Sequence, residues 1–94
     1  MAITLHADLI VAGRMKHASF EIDAASAGTV KALLAEADQR ELMGRGFFKE
    51  LLSPRHRGGL TVLHNGRRLA VPGGLGAPLA DGDEVNLLMP MAGG

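Results

Sequence analysis

Asp81-Gly82-Asp83-Glu84-Val85-Asn86-Leu87-Leu88-Met89-Pro90-Met91-Ala92-Gly93-Gly94 is the stretch on which the fold turns. Asp81-Gly82-Asp83 reads as a tight turn, because a short carboxylate accepts bonds from nearby backbone N–H groups and glycine takes positive φ. A strand follows over residues 84–89, with Val85, Leu87 and Met89 on one face. Leu88 on the opposite face makes it more apolar than the rest of the chain's strands. That pattern predicts a central strand, buried on one side and shielded on the other. Pro90 has no N–H to give a ladder and should end it. The expectation is therefore one domain over residues 1–89 and a flexible tail over 90–94.

Working back from that strand, Leu60, Val62 and His64 alternate with Thr61 and Leu63, which predicts another strand. Asn65-Gly66 after it is the strongest hairpin signal in the chain, and residues 67–71 should return as a short strand. Residues 72–78 read as an irregular crossing, with Leu75 and Leu79 pinning it to the core. At the other end, Ile3, Leu5, Ala7, Leu9 and Val11 alternate with Thr4, His6, Asp8 and Ile10. Ala18, Phe20 and Ile22 alternate with Ser19, Glu21 and Asp23. The break over residues 13–16 joins these two runs into a hairpin.

Between the hairpins the period changes. Val30, Leu33, Leu34 and Ala37 recur at helical spacing behind Thr29, a capping residue. The helix should end near Met43, with Gly44 taking a left-handed terminal position. Phe47 with Leu51 and Phe48 with Leu52 suggest a short second helix, stopped at Ser53-Pro54. The order is hairpin, helix, short helix, hairpin, last strand. It predicts an α+β fold: a mixed sheet with one main helix packed on one face, and a short second helix, in β-grasp topology.

Composition removes several classes of function. At 94 residues the chain fits one small domain. Ten basic and ten acidic residues balance, so no global field draws it to nucleic acid or an anionic membrane. It has no cysteine, which excludes a disulfide scaffold, a thiolate metal site and a cysteine nucleophile. No apolar run approaches the roughly 20 residues that span a bilayer, and the first residues do not read as a signal peptide. A cytoplasmic protein is expected, with neither nucleic acid nor membrane as partner.

Three stretches together carry a resemblance: Val62-Leu63-His64-Asn65-Gly66-Arg67-Arg68, Pro78-Leu79-Ala80-Asp81-Gly82-Asp83-Glu84-Val85, and Pro90-Met91-Ala92-Gly93-Gly94. They resemble the ubiquitin-like sulfur carriers, such as the small subunit of molybdopterin synthase and the thiamine-pathway carrier. Gly-Gly alone would say little, because 13 of the 94 residues are glycine. The resemblance implies a protein co-substrate rather than an enzyme. An ubiquitin-activating-type adenylyltransferase would adenylylate Gly94 using ATP. A desulfurase or rhodanese would donate sulfur, and a synthase would accept it from a thiocarboxylate. The product would be molybdenum cofactor, thiamine, or another cofactor or amino acid. Related roles are an ubiquitin-like modifier joined through Gly94 to lysines and a non-catalytic small subunit of a synthase.

The residues suit that chemistry. An α-carboxyl group ionises at about 3.5, so the Gly94 carboxylate is an anion at neutral pH and attacks phosphorus without a general base. Gly93 and Ala92 are slim enough to thread a narrow channel behind Pro90 and Met91. The four histidines, His6, His17, His56 and His64, lie apart in sequence, so no metal site is expected, nor any bound cofactor. Arg55, Arg57, Arg67 and Arg68 form either a basic patch beside the tail or a solvated loop and hairpin. Leu63, Leu69 and Leu88 either line a docking surface for the activating partner, flanked by Arg67 and Arg68, or belong to the core.

Overall fold

The computed structural model describes residues 2–11, 13–23, 28–55 and 59–91. The strands are β1 (Ala2–Val11), β2 (Arg14–Asp23), β3 (Thr61–His64), β4 (Arg67–Leu69) and β5 (Glu84–Met91), and the α-helices are α1 (Val30–Gln39) and α2 (Phe47–Leu51). The sheet order is β2-β1-β5-β3-β4. β5 pairs parallel with β1 and antiparallel with β3, so the last strand is the central one. This is the mixed β-grasp sheet that the element order predicts.

The core sits between the sheet and the helices. Ile3, Leu5, Ala7 and Leu9 from β1 meet Val85, Leu87 and Met89 from β5, and both sets pack against Val30, Leu33, Leu34 and Ala37 of α1. Thr29 caps α1, its Oγ1 accepting from Ala32 N–H at 3.2 Å. Phe48 and Leu51 of α2 are buried in the same cluster, to which Phe48 brings aromatic bulk.

Several boundaries differ from the sequence reading. β2 begins at Arg14, so Arg14, Met15 and Lys16 belong to the strand and not to the turn. Helix α1 stops at Gln39, well before Met43. Glu41 takes the left-handed conformation at φ 52°, its N–H bonds Asp38 O at 2.9 Å, and Leu42 N–H bonds Ala37 O at 3.1 Å. Those two bonds form a Schellman closure that uses glutamate where glycine is usual. β4 is shorter than residues 67–71, and the irregular crossing contains a 3₁₀ turn over Gly73–Gly76 that buries Leu75.

The most consequential difference lies at Pro90. The ladder does not end there; β5 continues to Met91, opposite Ile10 and Val11 of β1. Thr4 N–H donates to Asp83 O at 3.0 Å and Asn65 N–H donates to Glu84 O at 2.9 Å. Odd-numbered residues of β5 therefore direct their backbone bonds to β1, and even-numbered ones to β3. Pro90 falls in the even set, beyond Leu88, where pairing with β3 has ended. Its missing N–H removes no ladder bond.

Candidate functional site

The site is built around the two ends of β5. At its start, Asp83 gathers bonds from three directions. Asn65 Nδ2 donates to Asp83 Oδ1 at 3.0 Å, while His64 Nε2 and Ala80 N–H reach Oδ2 at 2.8 Å each. The bond from Asn65, then those from His64 and the Ala80 N–H, hold the Asp83 carboxyl down to about 2 from its ordinary 3.8. Asn65 also accepts from Glu84 N–H through Oδ1 at 2.8 Å. It can do so because the β3–β4 turn holds it at φ 51°, with Gly66 next at φ 82°. The neighbouring Asp81 accepts from Ala2 N–H at 2.8 Å, and Gly82 N–H returns a bond to Ala2 O at 2.9 Å. The turn that launches β5 is thus fastened to the start of β1 and to the tip of the β3–β4 hairpin.

At its far end, β5 carries Pro90 and Met91 along β1. Of the expected tail, these two residues lie in the strand; Ala92, Gly93 and Gly94 lie outside the described residues.

Among the described residues nothing packs over the sheet face opposite the helices. Leu88 sits there with 39% of its surface exposed, so the described residues do not supply the shielding expected on that side of β5. Leu63 lies on the same face, opposite Asn86 and Arg68. Ile10, paired with Met15 and Pro90, continues the surface toward the end of β5, and Met15 is 63% exposed. Leu69 belongs elsewhere: it opposes Val62 on the core side and packs against the core. Arg68 is exposed beside Leu63, and Arg67 is exposed opposite His64. Arg55 lies 3.8 Å from Glu50, and Arg57 is outside the described residues. The structure therefore joins Leu63, Leu88 and Arg68 on one surface and separates Leu69 from them.

Two histidines that are far apart in sequence meet on that face. His6 and His17 stack with ring centroids 5.7 Å apart. His17 Nδ1 bonds the Asp8 carboxylate, and Ser19 Oγ lies 3.1 Å from His6 Nδ1. The ladder explains the meeting, since His6 opposes Ser19 and Asp8 opposes His17. Only the β1–β2 register brings these side chains together. Each histidine has a local partner, and among the described residues no three His, Asp or Glu side chains form a metal-holding group. His56 lies outside the described residues. Among the described residues no helix is long and apolar enough to cross a membrane.

Comparison with known proteins agrees with this architecture. A subunit in the complex of subunits 1 and 2 of molybdopterin-converting factor from Helicobacter pylori is 26% identical, with TM-score 0.55 and full coverage of both chains. Urm1 from Trypanosoma brucei is 23% identical at TM-score 0.61, covering 99% of this chain and 95% of its own. SAMP1 from Haloferax volcanii is 22% identical at TM-score 0.51, covering 97% and 99%. No curated protein matches the chain. The ThiS family profile matches residues 9–94, from near the end of β1 through the whole of β5 to the Gly-Gly pair, and the chain belongs to that family.

Proposed function

We propose that this protein is a sulfur carrier whose reactive group is the α-carboxylate of Gly94. The observation that carries the reading is the course of β5. It is the central strand, fastened at its start through Asp83, and it runs to Met91, three residues before Gly94. The family match that reaches residue 94 supports the same reading.

The chemistry balances as follows. A Gly94 carboxylate oxygen attacks the α-phosphorus of ATP in an ubiquitin-activating-type partner, and pyrophosphate leaves. The terminal sulfur of a persulfide on the sulfur donor then attacks the acyl carbon, and AMP leaves. A thiol cleaves the resulting S–S bond and releases the thiocarboxylate, which donates its sulfur in a synthase that builds a cofactor or amino acid. Partner enzymes carry out each step on the terminus, and the carrier acts as their co-substrate. The activating partner docks on the uncovered face around Leu88, Leu63 and Arg68.

A second reading is favoured by the Helicobacter pylori structure, in which the similar chain belongs to a two-subunit complex. Here the protein is the small subunit of a synthase, and its last residues enter the larger subunit. The same carboxylate could instead pass to a lysine amine, giving an ubiquitin-like modifier. Incubation with the activating partner, ATP and a persulfide donor tests the primary reading by intact mass. An oxygen-for-sulfur gain at Gly94 is expected. An unchanged mass with a partner that does release pyrophosphate on this chain would sink it. Gly-Gly remnants on lysines of other proteins would report the modifier role.

A further inference from the structure

We propose that the groove between α1 and α2 is a second docking site, for a protein segment that combines a large apolar side chain with flanking carboxylates. This goes beyond the carrier reading and does not depend on it. The groove holds about 330 Å³ and is lined by Lys31, Leu34, Ala35 and Asp38 of α1 with Lys49 of α2 and Leu52 just after it. On α1 the four positions are spaced i, i+3, i+4 and i+7, which makes one continuous stripe. The lining is mostly apolar, with Leu34 buried at its floor and Ala35 exposed at its edge.

Its charge is one-sided. Asp38 is the single acid of the lining, and both of its carboxylate oxygens are occupied. Oδ1 accepts from Phe48 N–H at 2.8 Å and Oδ2 from Lys49 N–H at 2.7 Å. Lys31 and Lys49 are exposed, and neither is in an ion pair among the described residues. An apolar floor with two free ammonium groups on its rim complements an acidic, apolar segment and disfavours a basic one. The Asp38 bonds also fix α2 against α1, so the groove is preformed and a ligand need not order it. It lies on the helix layer, on the opposite side of the sheet from Leu88. A partner held there leaves the uncovered sheet face and the end of β5 free for a second protein.

The test is a displayed library of random 12-residue peptides selected against the full chain, with binders mapped by amide chemical shifts. Expected binders carry a Leu, Phe or Met flanked by Asp or Glu and shift the amides of Lys31, Ala35, Lys49 and Leu52. Their affinity should fall about tenfold in the double variant Lys31→Glu/Lys49→Glu. Ala35→Gln, which crowds the groove without changing its charge, should weaken them as much, and both variants alter exposed residues and should keep the native melting temperature. Binders without acids, binders that map to the sheet face, or no binders at all overturn the proposal. So does laurate saturating the groove where no peptide does, or a dimer that Lys31→Glu/Lys49→Glu dissolves, since either names a different occupant.

Discussion

His64 Nε2 lies 2.8 Å from Asp83 Oδ2, joining the end of β3 to the residue just before β5. An ionised carboxylate only accepts, so the imidazole donates through Nε2–H. With Asn65 and Ala80 also donating, the charged form of Asp83 is favoured in the folded protein over the unfolded chain.

A carboxyl lowered on folding contributes stability that is fully present above its unfolded value and is lost as pH falls through its folded value. For Asp83 the window runs from 3.8 down to about 2. Thermal melts are expected to lose stability steadily across that window. In Asp83→Asn, which cannot ionise, the decline should be shallower and the neutral-pH stability lower. An acid limb of identical slope in the variant would show that other carboxylates govern it.

Asp38 should prove a cap for a helix it does not belong to. Gly46 precedes α2 in a left-handed conformation and has no side chain with which to cap it. The Asp38 carboxylate does so from α1, reaching the N–H groups of Phe48 and Lys49. Removing such a cap typically destabilises by about 0.5–2 kcal/mol. Asp38→Ala is expected near the upper end, about 2 kcal/mol by urea denaturation, because two N–H groups lose their acceptor together. A change below the error of the measurement would mean that water replaces the carboxylate without loss.

Pro90→Ala should leave stability within about 0.5 kcal/mol of the parent. The restored N–H would face the side of β5 where β3 has already ended, so there is no ladder bond to gain. A stabilisation well beyond that range would reveal a partner for residue 90 on that side.

Leu88→Glu separates docking from folding. Leu88 is already 39% exposed, so the melting temperature should hold. If the activating partner covers this face, losing the apolar contact should lower kcat/KM for adenylylation, read as pyrophosphate release, by about tenfold. Unchanged kinetics would remove the uncovered face from the docking surface.

What could be read from the sequence, and what could not, divides by range. Thr29 before the Val30-Leu33-Leu34-Ala37 stripe and Asn65-Gly66 between alternating runs are local signals, and both stand where they were expected. Glu41 escaped because a left-handed helix terminus is ordinarily sought at glycine, and Gly44 offered itself nearby. Pro90 misled because a missing N–H matters only on the side that has a neighbour, and the register decides which side that is. Asp38 capping α2, and His6 stacking on His17, depend on packing and strand register, which periodicity within one element does not encode. Of the two readings open for Leu63, Leu69 and Leu88, the register decides Leu69: opposing Val62 across β3–β4 puts it on the helix side, packed against the core.

Deletion of Gly94 draws the line between the frame and the proposed reactive end. Every buried residue of the described core precedes Pro90, ending with Met89. The native melting temperature should therefore survive the deletion to within about a degree or two, as for a surface change. Thiocarboxylate formation should fall below detection, because the new terminus is one residue short of the partner's α-phosphate, and a misplacement of even about 1 Å can slow a positioned reaction 100-fold. Intact mass after incubation with the partner, ATP and a persulfide donor reads the second effect, and calorimetry reads the first. A truncated chain that still gains sulfur would move the reactive group away from Gly94. A truncated chain that melts many degrees lower would make the last residue structural, and the carrier reading would lose its main support.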